Sequence, residues 1–349
     1  MKHKLNNILF LLIAGMLTMM SSCSKDDLGT PTLSSISPGT GPGGMLVTLQ
    51  GSNLSSIRTI VFDGNNAPAG FNPNFNTDDA ILFRVPDTAS GGAQNIILTN
   101  IDGSILTVPF NVVAFPNVKT SSNYDFQAGD QISFTGINLE GVDAVKFEAT
   151  NEPIEIVSKT SKSLIVKMPA TSLTRSKLVI SNSSGTTTTT DEYINIDQAF
   201  QIFTDDYQNG FADGSWGDAG MRTESEHKTG IASASKKYAQ GNWHLINFVR
   251  WGNPVEKNTE WKFLVAWVKG GSLDYDLYFG SDKSEGGFGS FNEGNKITVK
   301  ANVWNYYKIP MDKLDFWKGG GGFEQFGIRI QGPDAQDETF YFDDVMFVK

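Results

Sequence analysis

Gly44-Met45-Leu46-Val47-Thr48-Leu49-Gln50-Gly51-Ser52-Asn53-Leu54 reads as a strand running into a tight corner. The same layout returns as Gly129-Asp130-Gln131-Ile132-Ser133-Phe134-Thr135-Gly136-Ile137-Asn138-Leu139. Working outward, Thr59-Ile60-Val61-Phe62 is answered by Ala144-Val145-Lys146-Phe147. Ile81 to Pro86 is answered by Leu164 to Pro169, and Asn95 to Asn100 by Lys177 to Asn182. Four matched blocks in one order make an internal repeat of roughly eighty residues. Short apolar runs broken by turn residues, with no sustained helical period, describe an immunoglobulin-like β-sandwich in each copy.

Each copy resembles an IPT/TIG domain, with the G-x-N-L corner as the most specific part. The resemblance gives two tandem domains, 31–114 and 115–197, and implies a spacer role. Near Gln198 the composition changes: all seven Trp follow it, at 216, 243, 251, 261, 267, 304 and 317. Residues 198–349 have the length and short strands of a third sandwich, a jelly roll. The fold expected is therefore all-β, and the 39% hydrophobic content is enough for real cores.

The N-terminus carries a different signal. Lys2 and Lys4 precede an apolar run from Ile8 to Leu17, then Ser21-Ser22-Cys23. A basic start, a short apolar stretch and small residues mark a secretion signal over 1–22. Cys23, the only cysteine, stands where a thiol would be acylated, and 23–30 read as a tether. The segment resembles a bacterial lipoprotein signal, although Met20 stands where Leu is more usual. Ser24-Lys25-Asp26-Asp27 resembles the acidic tag of lipoproteins on the outer face of the outer membrane. The formal net charge is −10, and loss of Lys2 and Lys4 with the signal makes it −12. Such a chain repels nucleic acid and favours a neutral partner.

A sugar ring stacks its apolar C–H face on Trp or Tyr while its hydroxyls bond polar side chains at the edge. Trp216, Trp243, Trp251 and Trp317 each sit among turn residues, and we expect them at one rim of the third sandwich as a binding platform. Arg250 and Arg329 lie within apolar strands, where each can bond sugar hydroxyls or pair with an acid; for Arg329 the acid is favoured. Alternation puts Trp261, Phe263, Val265 and Trp267 on one apolar face, read as core. Trp304 opens Trp304-Asn305-Tyr306-Tyr307-Lys308-Ile309-Pro310, which resembles a structural strand of carbohydrate-binding jelly rolls, and is also read as core. Asp205-Asp206 and Asp343-Asp344 are candidates for a structural Ca²⁺ if the first and last strands meet; no other cofactor is expected.

Enzymatic motifs are few. Only His227 and His244 follow the signal, with no G-x-S-x-G elbow, and Gly319 to Gly322 lack the ending of a phosphate loop. A two-carboxylate glycosidase is the remaining catalytic reading. Taken together, signal, tandem spacers and aromatic-rich terminal sandwich resemble the surface glycan-binding lipoproteins of Sus-type polysaccharide utilisation systems. That resemblance implies non-catalytic capture of a neutral polysaccharide, with a β-glucan as the favoured class. It also implies a TonB-dependent transporter and a companion glycan-binding lipoprotein as partners. A surface adhesin for a protein partner is the competing reading.

Overall fold

The computed structural model describes residues 29–289, 292–330, 333 and 335–349. The signal segment, Cys23 and tether residues 23–28 lie outside these. The described chain is all-β, with only short 3₁₀ turns besides its strands, in three successive sandwiches.

The corner motif has the same physical cause in both copies. Asn53 and Asn138 adopt left-handed backbone, at φ 59° and 60°, where Asn is among the most tolerant non-glycine residues. Each then turns its amide back on the chain entering its domain: Asn53 Nδ2 donates to Thr30 O at 2.9 Å and Asn138 Nδ2 to Phe115 O at 3.0 Å. A Cβ on Gly51 would stand 1.8 Å from Thr32 O, and one on Gly136 2.1 Å from Asn117 O, so both glycines permit a close backbone approach. Leu54 and Leu139 plug their respective cores. The copies differ in one strand. In the second domain Pro153–Lys159 pairs on both sides and joins the layers into a seven-stranded sheet; the first domain has only Ala67–Pro68 there and keeps separate sheets.

The terminal sandwich has two layers around one core. Its outer sheet runs Ala212–Asp213, Leu245–Val249, Gln325–Ile330, Tyr275–Ser281, Lys296–Val299. Its inner sheet runs Met221–Thr223, Ser233–Tyr238, Glu338–Val348, Phe263–Lys269, Trp304–Pro310, with Phe200–Phe203 also paired to the last strand.

Here one expectation holds for Val265 and Trp267 but in a different core from the sandwich's own, and another needs correction. In Phe263–Lys269 it is Leu264, Ala266 and Val268 that enter the sandwich core. Val265 and Trp267 are buried on the opposite face, against the second domain, and Trp261 precedes the strand and packs half-buried at the core's edge. Both faces of the strand are apolar because both are covered, so alternation could not say which layer lay where. Trp304 is not core either. It is half-buried on that same outward face, beside Lys269, with its indole N–H donated to Glu226 Oε1 at 2.8 Å.

That face is a built joint. Trp267 Nε1 donates to Asn123 Oδ1 (3.0 Å) and Asp125 Oδ1 (3.2 Å), and Tyr124 stacks on its ring at 6.0 Å. Lys228 Nζ lies 4.4 Å from the same ring and donates to Ser122 O. Farther along, Glu192 is shared by Arg175 and Lys308, both of which lie over Phe263. With the inner sheet covered by the second domain, the free face of the outer sheet looks away from it.

Candidate glycan-binding face

Strand register lays one row of side chains across the outer sheet. Trp216 bridges to Leu245, Leu245 pairs with Arg329, Arg329 with Tyr278 and Tyr278 with Lys296. Paired residues point the same way, so the row shares one face, opposite Ile246, Ile328 and Leu277 in the core. Four inter-strand gaps give the row a width of about 19 Å. In the neighbouring row Gly327 pairs with Gly280, which keeps the middle of the sheet low. Leu245 and Phe288 lean over these glycines.

Two tryptophans rise at one end of this row. Trp216 is 47% exposed and meets Phe288 edge-on at 5.3 Å; Trp243, two residues before the strand, is 57% exposed. The Arg329 guanidinium lies 4.4 Å from the centre of the Trp243 ring. This stacking holds the ring and places a fan of N–H donors beside it. At the far end Lys296 pairs with Glu293 (2.7 Å) and Asp276 (3.2 Å), and Tyr278 donates to Glu293 at 3.4 Å. The Thr298 hydroxyl and then Lys296 hold Asp276 below the usual carboxylate range. The face therefore offers flat apolar rings, hydrogen-bonding groups and charges of both signs in near balance.

One residue that sequence reasoning missed underlies it. Lys236 is fully buried in Ser233–Tyr238, and its ammonium bonds the carbonyls of Trp216 (2.9 Å) and Asp218. Burial lowers its pKa, and the carbonyls with nearby Asp213 and Asp218 compensate. The available signal was alternation, which puts Lys236 on the same face as Ala234 and Tyr238.

The other candidates lie elsewhere. Trp251 follows the strand Leu245–Val249 as Trp243 precedes it, so the two stand at opposite ends, roughly 26 Å apart along the strand direction. Trp251 is 64% exposed. Beside it Arg250 donates Nε to Asn209 O at 2.7 Å and lies over Phe200. Trp317 is half-buried: its indole N–H bonds Val255 O at 2.8 Å and its ring packs on Trp261 and Phe323. The four loop tryptophans do not share one rim, because Leu245–Val249 carries two of them to opposite edges.

Pairing of the first and last strands brings Asp205 within electrostatic reach of Asp344, but the four candidates do not gather into one cluster. Each already has at least one oxygen engaged. Asp205 Oδ1 accepts the amides of Ile231 and Ala232, Asp343 Oδ2 those of Lys228 and Thr229, and Asp344 Oδ2 the Thr229 hydroxyl. Asp206 caps the amide of Tyr207. Among the described residues no three acidic, histidine or cysteine side chains form a group that could hold a metal.

The first copy of the repeat matches the IPT/TIG domain model over residues 31–112. No curated protein sequence matches the chain. Among solved structures, the surface glycan-binding protein PbSGBP-B from Prevotella bryantii aligns with a TM-score of 0.54 at 17% identity, covering 92% of this chain and 99% of that one. SGBP-B of a xyloglucan utilisation locus in Bacteroides uniformis aligns at 0.45 and 16% identity, covering 92% and 100%. A Bacteroides ovatus mixed-linkage glucan SGBP-B aligns at 0.33 and 14%, covering 91% and 75%. The likeness to the Prevotella protein shows a shared fold.

Proposed function

We propose that the protein captures a polysaccharide on the free face of the terminal domain without cleaving it. The carrying observation is the sheet face on which exposed Trp216 and Trp243 stand together at one end, with Arg329 stacked on Trp243, directed away from the second domain. The tryptophan rings stack on pyranose faces, and Arg329 bonds the hydroxyls at their edges. The shared fold with a surface glycan-binding protein supports the same reading. Near-balanced charge along the row favours a neutral chain, and a β-glucan remains our choice of class. Trp251, Arg250 and Trp317 fall outside this site.

Catalysis would need a carboxyl poised to give a proton beside the sugar. On this face Asp276 is held low, so it stays ionised. The described carboxyls with raised pKa values, Asp125, Asp343 and Asp344, lie across the domain at the inner-sheet joint. In the cell, acylated Cys23 anchors the protein on the outer face of the outer membrane. The two N-terminal domains act as spacers, and a TonB-dependent transporter with a companion lipoprotein receives the captured chain. Avidity on a long polymer multiplies weak stacking contacts.

The test is affinity electrophoresis of the protein without residues 1–23 through gels cast with neutral polysaccharides. Retardation in a β-glucan gel, with no reducing ends released on prolonged incubation, is the expected result. Free migration in every gel would reject glycan capture and favour the adhesin, and released reducing ends would favour the glycosidase.

A further inference from the structure

A larger groove lies elsewhere, where the second domain meets the edge of the terminal one, and its volume is about 910 Å³. Its floor is aromatic and apolar: Trp261, Trp317, Phe263, Met311 and Leu314. The two indoles stack at 30° with ring centres 6.1 Å apart. Trp317 is pinned by its bond to Val255 O, and Trp261 by Phe200 and Phe347 at 5.1 and 4.9 Å. Both rings are half-buried, so rigid apolar surface remains facing the groove.

Its rim has a different character from the outer sheet. Arg175, Lys257, Lys262 and Lys318 line it, in a chain of net charge −10. Arg175 pairs with Glu192 and Lys318 with Glu285. Lys257 and Lys262, which bracket Trp261 in sequence, form no ion pair among the described residues; Lys262 donates its ammonium to the carbonyl of Thr259, and Glu260, on which its charge acts at a distance, is paired with Lys349. Of the two acids lining the groove, Asp315 is occupied by Asn295, Asn292 and the amide of Glu285, while Asp312 is exposed and forms no ion pair among the described residues, so the groove's cations still outnumber its acids. Rigid indole surface beside cations that outnumber the groove's acids matches a sugar that carries a carboxylate.

We infer that this groove is a second glycan site, separate from the outer-sheet row, that takes a carboxylate-bearing oligosaccharide: its pyranose rings lie on the Trp261–Trp317 floor and its carboxylates meet Lys257 and Lys262. The inference does not depend on the neutral-glycan reading, since the two sites share no residue. A chain with neutral backbone and uronic acid branches would engage both.

The experiment is fluorescence titration of the protein without residues 1–23 with hexagalacturonate, with cellohexaose as the neutral counterpart and hexaglutamate as a ring-free polyanion. Lys257 and Lys262 are exposed, so Lys257→Gln with Lys262→Gln leaves the fold intact. Hexagalacturonate should bind with an affinity that falls at least tenfold in that double variant and weakens with added salt. It should be unchanged by Trp216→Ala with Trp243→Ala, and hexaglutamate should not compete. No hexagalacturonate binding, or binding lost with Trp216 and Trp243 instead of the lysines, overturns the inference. Equal binding of hexaglutamate overturns it as well and makes the groove a site for acidic peptide. Retention in neutral gels is read separately, so failure of one site does not disguise failure of the other.

Discussion

Asn53 and Asn138 each hold left-handed backbone and lash the entering chain to the corner with the side-chain amide. The motif was legible because every part of its physics is local: a glycine for close approach, an Asn for positive φ, a leucine for the core. Gly51→Ala should destabilise the first domain by about 1–3 kcal/mol, because the new Cβ meets the Thr32 carbonyl, which pairing with Ser52 holds in place. Thermal melting checks it; an unchanged melting temperature would mean the corner relaxes freely. Lys236 was illegible for the opposite reason, since its carbonyl partners lie about twenty residues away and only the folded sandwich brings them over it. Lys236→Met keeps the volume but frees the Trp216 loop. Polysaccharide affinity should fall about tenfold, or ~1.4 kcal/mol, by calorimetry, without loss of melting temperature. Unchanged affinity would show that Trp216 is positioned without the lysine.

The inner-sheet strands show what alternation alone can and cannot tell. It marks Val265 and Trp267 as buried, which they are, but burial by a neighbouring domain has the same pattern as burial by the facing sheet. A β-bulge adds a feature with no sequence signature. Between the pairs Val265–Met346 and Trp267–Asp343 the last strand carries an extra residue, and Asp344 takes φ 45°. The bulge turns Asp343 and Asp344 into the joint near Asp125. Burial raises all three carboxyls, with mutual repulsion adding to it: Asp343 to about 7, Asp344 to about 8, and Asp125 well above its ordinary range. A carboxyl whose folded pKa exceeds its unfolded one keeps its proton longer when folded, so stability falls as pH rises between the two values. Stability should therefore decline from about pH 4, the ordinary aspartate value, to about pH 8, each group contributing a slope of at most about 1.4 kcal/mol per pH unit. Asp125→Asn should flatten the profile by removing one charge. Melting temperatures that stay level or rise from pH 5 to pH 8.5 would contradict the buried cluster.

At the scale of the molecule, the joint sets which way the terminal domain looks. Covering the inner sheet leaves the outer sheet directed away from the second domain, which is the geometry the proposed capture role requires. Trp216 and Trp243 could be picked out in sequence as loop tryptophans beside glycine and asparagine. Their separation from Trp251 and Trp317 could not, because it depends on which ends of Leu245–Val249 the loops leave and on which partner each ring meets. The most direct test of the central claim is the retardation of three proteins in the same β-glucan gel: the parent without residues 1–23, Trp216→Ala with Trp243→Ala, and Trp251→Ala. The outer-sheet site requires that the double variant migrate freely while Trp251→Ala is retarded like the parent. Retardation that survives in the double variant, or is lost with Trp251 alone, would place the glycan elsewhere and contradict it.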